Sequence, residues 1–109
     1  MKTTFPFTVI TAALCAVFTC NMAHAQDTMS EGKKLFMESA VPACSICHAM
    51  RQAGAVGEVG PSLDELKPDA ARVEKALRNG IGQMPAFKTL SEAQIKLLGA
   101  YVASATAGK

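Results

Sequence analysis

Cys44-Ser45-Ile46-Cys47-His48 places two thiols and an imidazole within five residues of one another. Cys-x-x-Cys-His is the covalent attachment signal for c-type haem. Each thiol adds to one vinyl group, and the two-residue gap matches the spacing of those vinyls. The histidine that follows can reach the iron from the same side as a fifth ligand. A flat apolar body tied at this point becomes the centre of a small domain, and the remaining residues are read as what surrounds it.

Other uses of the pair fit less well. In an oxidising compartment the two cysteines could close a disulfide. A thioredoxin-like role lacks a flanking β-α-β pattern. A four-ligand zinc site lacks donors, because His48 is the sole histidine after residue 25 and no third cysteine follows it.

Upstream, the first 25 residues read as an export signal. Lys2 supplies the positive start, Val9 to Phe18 the apolar stretch, and Ala23-His24-Ala25 an A-x-A cleavage pattern. The apolar stretch is short for a spanning helix, which needs ~20 residues. Cleavage after Ala25 leaves residues 26–109, 84 of the 109, as one domain, and removes Cys15 and Cys20. Neither of those cysteines follows the small residue that lipidation would need. The expectation is an exported protein with no stable membrane insertion.

An 84-residue domain is at the small end for an independent core. It has three aromatics, Phe36, Phe87 and Tyr101, and no tryptophan. Ten basic and nine acidic residues follow the signal, close to neutral, and no basic run supports nucleic-acid binding. The porphyrin would supply the large apolar body that the side chains lack, so the chain without haem is expected to fold poorly.

Helical signals dominate. Ser30 is a candidate N-cap for a first helix reaching about Glu38 and ending before Val41-Pro42. Ala53 to Gly60 has glycines at 54, 57 and 60 without apolar periodicity and reads as loop, able to pass close to a flat ligand. Pro68 lies near the start of a second helix, with Asp69 in its first turn and Val73, Ala76 and Leu77 on one face, and Asn79-Gly80 stops it. Ser91 and Gln94 form a capping box for the last helix, whose inward stripe is Ile95, Leu98 and Val102. No stretch resembles a strand pair, so the class is all-α.

The candidate metal ligands are His48 and a methionine. Four methionines follow the signal. Met29 lies near the expected frayed start. Met37 falls on the first helix as a core filler. Met50 is tethered two residues past His48. Met84 sits in Gly80-Ile81-Gly82-Gln83-Met84-Pro85-Ala86-Phe87, a flexible approach with a stiff exit, and is the preferred distal ligand. A thioether favours ferrous iron and raises the potential. A haem-ligating imidazole usually gives its other N–H to a carbonyl. Pro61 is either that acceptor or an ordinary turn proline.

With these residues in place, the chain resembles the class I monohaem cytochromes c of the small bacterial type over nearly all of residues 26–109. The resemblance implies three to five short helices wrapped around one covalent haem. The first helix, with Gly32 and Phe36, would cross the last at Leu98 and Tyr101. Cys44, Cys47 and His48 match the haem motif, Pro61 the proline that orients the proximal histidine, and Met84 the distal ligand. A narrower likeness joins 59–69 and 79–87 to cytochromes that accept electrons from molybdenum sulfite dehydrogenases.

The implied function is a periplasmic one-electron carrier, not itself an enzyme. It would take electrons from such a dehydrogenase and pass them to a downstream oxidase or cytochrome of the respiratory chain. A docking surface is expected around Cys44, Ala49, Gln83, Met84, Pro85 and Ala86. Two alternatives are a five-coordinate haem sensor or peroxidase, and a haem relay subunit permanently bound to an oxidoreductase.

Overall fold

The computed structural model describes residues 24–108; the expected signal at 1–25 lies almost wholly outside them. Helix α1 (residues 24–34) runs into a wider π turn at Leu35–Ser39, followed by α2 (Cys44–Cys47). Strand β1 (Ala49–Met50), a 3-10 turn (Arg51–Ala53) and β2 (Ala55–Val56) come next. The chain then forms α3 (Leu63–Leu66), α4 (Ala70–Asn79) and α5 (Glu92–Thr106). The fold is the mostly helical one the sequence implies.

Two helix ends match the side-chain chemistry closely. Asp69 Oδ1 accepts the Arg72 N–H at 2.7 Å and starts α4, while Gly80, at φ 70°, closes it with its N–H on the Ala76 carbonyl at 2.8 Å. At α5 the capping box is complete. Gln94 N–H donates to Ser91 Oγ at 3.2 Å, and Ser91 N–H donates to Gln94 Oε1 at 2.9 Å. These bonds satisfy amides that the first turn of a helix otherwise leaves without partners.

The core sits where α1 crosses α5. Tyr101 and Phe36 are almost fully buried and meet edge to face, with ring centroids 6.1 Å apart at 63°. Ile95, Leu98 and Val102 are buried beside them. The Tyr101 hydroxyl donates to Gln52 Oε1, tying α5 to the 3-10 turn. Burial pushes that hydroxyl up to about 12, so it remains a donor at neutral pH. Gly32 is what lets the helices approach, because a Cβ there would overlap Tyr101 Cβ and Cγ. Gly32→Ala gains helix propensity, yet it is expected to destabilise the loaded protein by about 1–3 kcal/mol through overpacking. Urea unfolding checks this, and unchanged stability would mean the crossing can open without cost.

Three expectations need correction. Ser30 is no N-cap: it lies inside a helix that already includes residue 24, and its Oγ donates to the Asp27 carbonyl at 3.2 Å. Residues 24–29 are compatible with helix, and extending a formed helix costs little beside starting one. Met29 is therefore half-buried against the core rather than frayed. The 53–60 segment is not wholly loop, because Ala55–Val56 pairs antiparallel with Ala49–Met50. Two residues per strand carry no readable alternation, so this ladder leaves no period-2 signal.

Candidate functional site

A cavity of about 650 Å³ opens between α2, α3, α4 and the loop that joins α4 to α5. Its walls are largely apolar, including Leu63, Leu66, Val73, Leu77, Phe87 and Leu98. Its size is in the range of small-molecule sites. Cys44, Cys47, His48, Pro61 and Met84 all line it, so residues spread over 41 positions meet at one space.

On one side stands the pentapeptide. Cys44 to Cys47 form a single helical turn, closed by the His48 N–H on the Cys44 carbonyl at 3.0 Å. One turn brings residues three apart onto the same face, so both thiols reach the cavity, and neither is in a disulfide. Burial pushes the Cys44 thiol up to about 11; a backbone hydrogen bond opposes the shift and the neighbouring Cys47 adds to it. Cys44 is thus a protonated thiol at neutral pH, slow to oxidise.

His48 is fixed by the segment that follows. Its Nδ1 lies 2.7 Å from the Pro61 carbonyl. A carbonyl only accepts, so Nδ1 carries a proton, and in the neutral ring the lone pair is then on Nε2. Two glycines make this approach possible. A Cβ on Gly60 would lie 2.6 Å from His48 Cε1, and one on Gly57 would lie 2.7 Å from the Cys47 carbonyl carbon. Gly60 N–H also donates to the Cys47 carbonyl at 2.7 Å. The glycine segment therefore passes close to the pentapeptide and its imidazole, and Gly60 also lines the cavity.

Met84 enters from the loop after α4. Ile81 and Met84 exchange two backbone hydrogen bonds, each 3.0 Å, around Gly82 at φ 55°. Gly80 is needed beneath this turn, since a Cβ there would lie 2.7 Å from the Met84 carbonyl oxygen. Phe87, buried, anchors the exit through its N–H on the Leu77 carbonyl at 2.8 Å. The other methionines are elsewhere. Met50 is fully buried in β1, and Met29 and Met37 pack on the core away from the cavity.

Some contributors were not foreseen. Helix α3 supplies Leu63 and Leu66 to the wall. Asp64 on it accepts the Arg51 N–H at 2.8 Å, which ties α3 to the end of β1. A four-residue helix is too short to show a period in sequence. Arg72 and Lys75, one turn apart on α4, are the cationic side chains in the wall, and no carboxylate is among the described lining residues.

The donor set fits a c-type haem: two thiols, a histidine with a fixed tautomer and free Nε2, an apolar cleft, and a soft thioether. Comparison with known proteins agrees. Residues 27–102 match the family described as cytochrome c oxidase, cbb3-type, subunit III. Among solved structures, the c-type cytochrome SorU from Sinorhizobium meliloti shares 47% sequence identity. That match covers 74% of this chain and 93% of SorU, with a TM-score of 0.72. No curated protein sequence matches. The fold, the cavity and both matches place the chain in the cytochrome c family, among its small class I members with covalent haem that transfer electrons.

Proposed function

We propose that this protein is a periplasmic shuttle for single electrons, using one haem c held by thioethers from Cys44 and Cys47 and ligated by His48 and Met84. The observation that carries the reading is the convergence of those four residues and Pro61 on one cavity. When bound, the haem supplies a one-electron ferric/ferrous couple. The Pro61 carbonyl holds the imidazole ring and raises its basicity. The loop from Gly80 to Phe87 keeps the methionine at the cavity, where its sulfur would hold the haem iron in place of a substrate. This disfavours a sensor or peroxidase, and the protein itself is no catalyst.

Placement follows from the leader at 1–25, and the family match begins two residues beyond the expected cleavage. Among the described residues no helix is long and apolar enough to cross a membrane. The docking surface is the rim around Cys44, Ala49, Gln83, Met84, Pro85 and Ala86. Gln83 and Pro85 are exposed there, and the rim is widened by the exposed Val59 and Ile81. Small and apolar groups of this kind suit a weak, transient contact.

The donor is inferred to be a molybdenum sulfite dehydrogenase, supported by the resemblance at 59–69 and 79–87. The acceptor is a downstream oxidase or cytochrome. The test mixes sulfite, a catalytic amount of a purified bacterial sulfite dehydrogenase and the ferric protein. Ferrous absorption is expected to grow in with a 2:1 stoichiometry to sulfite, since sulfite gives up two electrons. No reduction over the enzyme-free control would remove the sulfite link and leave the carrier reading in place.

A further inference from the structure

The loop that carries Met84 leaves α4 at Gly80 and enters α5 beyond Ser91. Across its two feet, Arg78 in the last turn of α4 grips Glu92 in the first turn of α5. Arg78 Nε lies 3.2 Å from both Glu92 carboxylate oxygens, and Nη2 lies 2.8 Å from Oε2. Glu74, one turn back on α4, accepts from the same Nη2 at 3.0 Å. The guanidinium is therefore oriented by its own helix while its fork holds the other. The hydrogen bond from Arg78 keeps the Glu92 carboxyl below its usual range, and Glu92 and then Glu74 raise Arg78. A lone exposed pair contributes little to stability, but forked geometry within a network is the exception.

The location suggests what this network holds. α4 and α5 already pack closely along their length, with a Cβ on Gly99 only 3.0 Å from the Ala70 carbonyl oxygen. Holding the helices together therefore needs no further contact at mid-length. Helix ends, however, fray, and local opening starts there. Between the feet the loop has its turn at Ile81–Met84, the Phe87 bond to Leu77, and a long 3.4 Å bond from Leu90 N–H to the Phe87 carbonyl. A loop whose feet are pinned has fewer open conformations to visit than one whose feet can part.

We propose that Arg78 is a positioning residue for Met84: by pinning the last turn of α4 to the first turn of α5, it suppresses departure of the methionine from the cavity. This rests on the reading of Met84 as the distal ligand. Glu92 is its partner and Glu74 orients the fork.

Cyanide binding to the ferric, haem-loaded protein tests the proposal, because cyanide reaches the iron only after Met84 has left. R78Q is expected to bind cyanide about threefold to fivefold faster than wild type, the scale of a lost surface network. E92Q should do the same, and the double variant should be no faster than the quicker single, since the interaction is already gone. R78K keeps the charge but not the fork and should fall between. Urea unfolding run in parallel separates loop opening from global loss of stability, and E92Q serves if R78Q does not accumulate.

Wild-type rates in folded R78Q and E92Q, or additive effects in the double variant, would overturn the proposal. Failure of the underlying reading has a different signature. In that case wild type would bind cyanide as fast as M84A.

Discussion

Met84→Ala is expected to abolish the ferric sulfur-to-iron absorption band at the red end of the spectrum. It should also open the ferrous iron to carbon monoxide. The argument is spatial. Of the four methionines after residue 25, only Met84 lines the cavity; Met50 is fully buried in β1, and Met29 and Met37 pack on other parts of the core. No other thioether can replace it without moving a packed element, and no second histidine follows residue 25. Because a thioether favours ferrous iron, its loss should also lower the reduction potential by at least about 60 mV, a tenfold change for one electron. Survival of the band in Met84→Ala would show that some other residue holds the distal position.

Replacing both cysteines should have a still larger effect, on folding itself. Cys44→Ala with Cys47→Ala removes both tethers and leaves the exported chain at its bare polypeptide mass. At ~24 cal/mol per Å³, an unfilled space of this size would cost about 16 kcal/mol. That is an upper bound, since the cleft admits water. Domain stabilities run to roughly 5–15 kcal/mol, and a domain of this size belongs at the low end, which a third of the bound already matches. The core outside the cavity is small: one crossing of Phe36 and Tyr101, a stripe on α5, and short elements between. Far-UV circular dichroism should show much of the helix lost and no cooperative thermal transition. A sharp transition in the double variant would show that the α1–α5 crossing is a sufficient core.

The two experiments address different links. The methionine variant keeps the haem and alters its chemistry, whereas the cysteine variant removes the body around which the helices pack. Together they separate the ligand assignment from the claim that the porphyrin completes the core.

How much of this was legible depended on the range of the interaction involved. Helix ends built from neighbours were readable: Asp69 on Arg72, Ser91 with Gln94, and Gly80 as a stop are contacts within four residues. Ser30 misled because serine caps helices and also sits inside them, and only the fate of residues 24–29 separates the two. The short ladder of Ala49–Met50 with Ala55–Val56 gave no pattern long enough to see. Pro61 was open between two roles because its carbonyl is a backbone group, and sequence does not report where a backbone group points. The 2.7 Å contact with His48 is a matter of how the glycine segment folds back.

The chemistry was written in short-range spacing. Cys44, Cys47 and His48 carry the spacing of the covalent-haem motif, and the caps and stripes specify helices through contacts within a turn. Folding in three dimensions settles which methionine shares a space with that histidine, which carbonyl accepts its N–H, and which ion pair spans the feet of the methionine loop. Those are meetings of residues 13 to 36 positions apart. The reason is physical: near-neighbour contacts follow from bond geometry, but distant ones depend on how the whole chain excludes water around a single core.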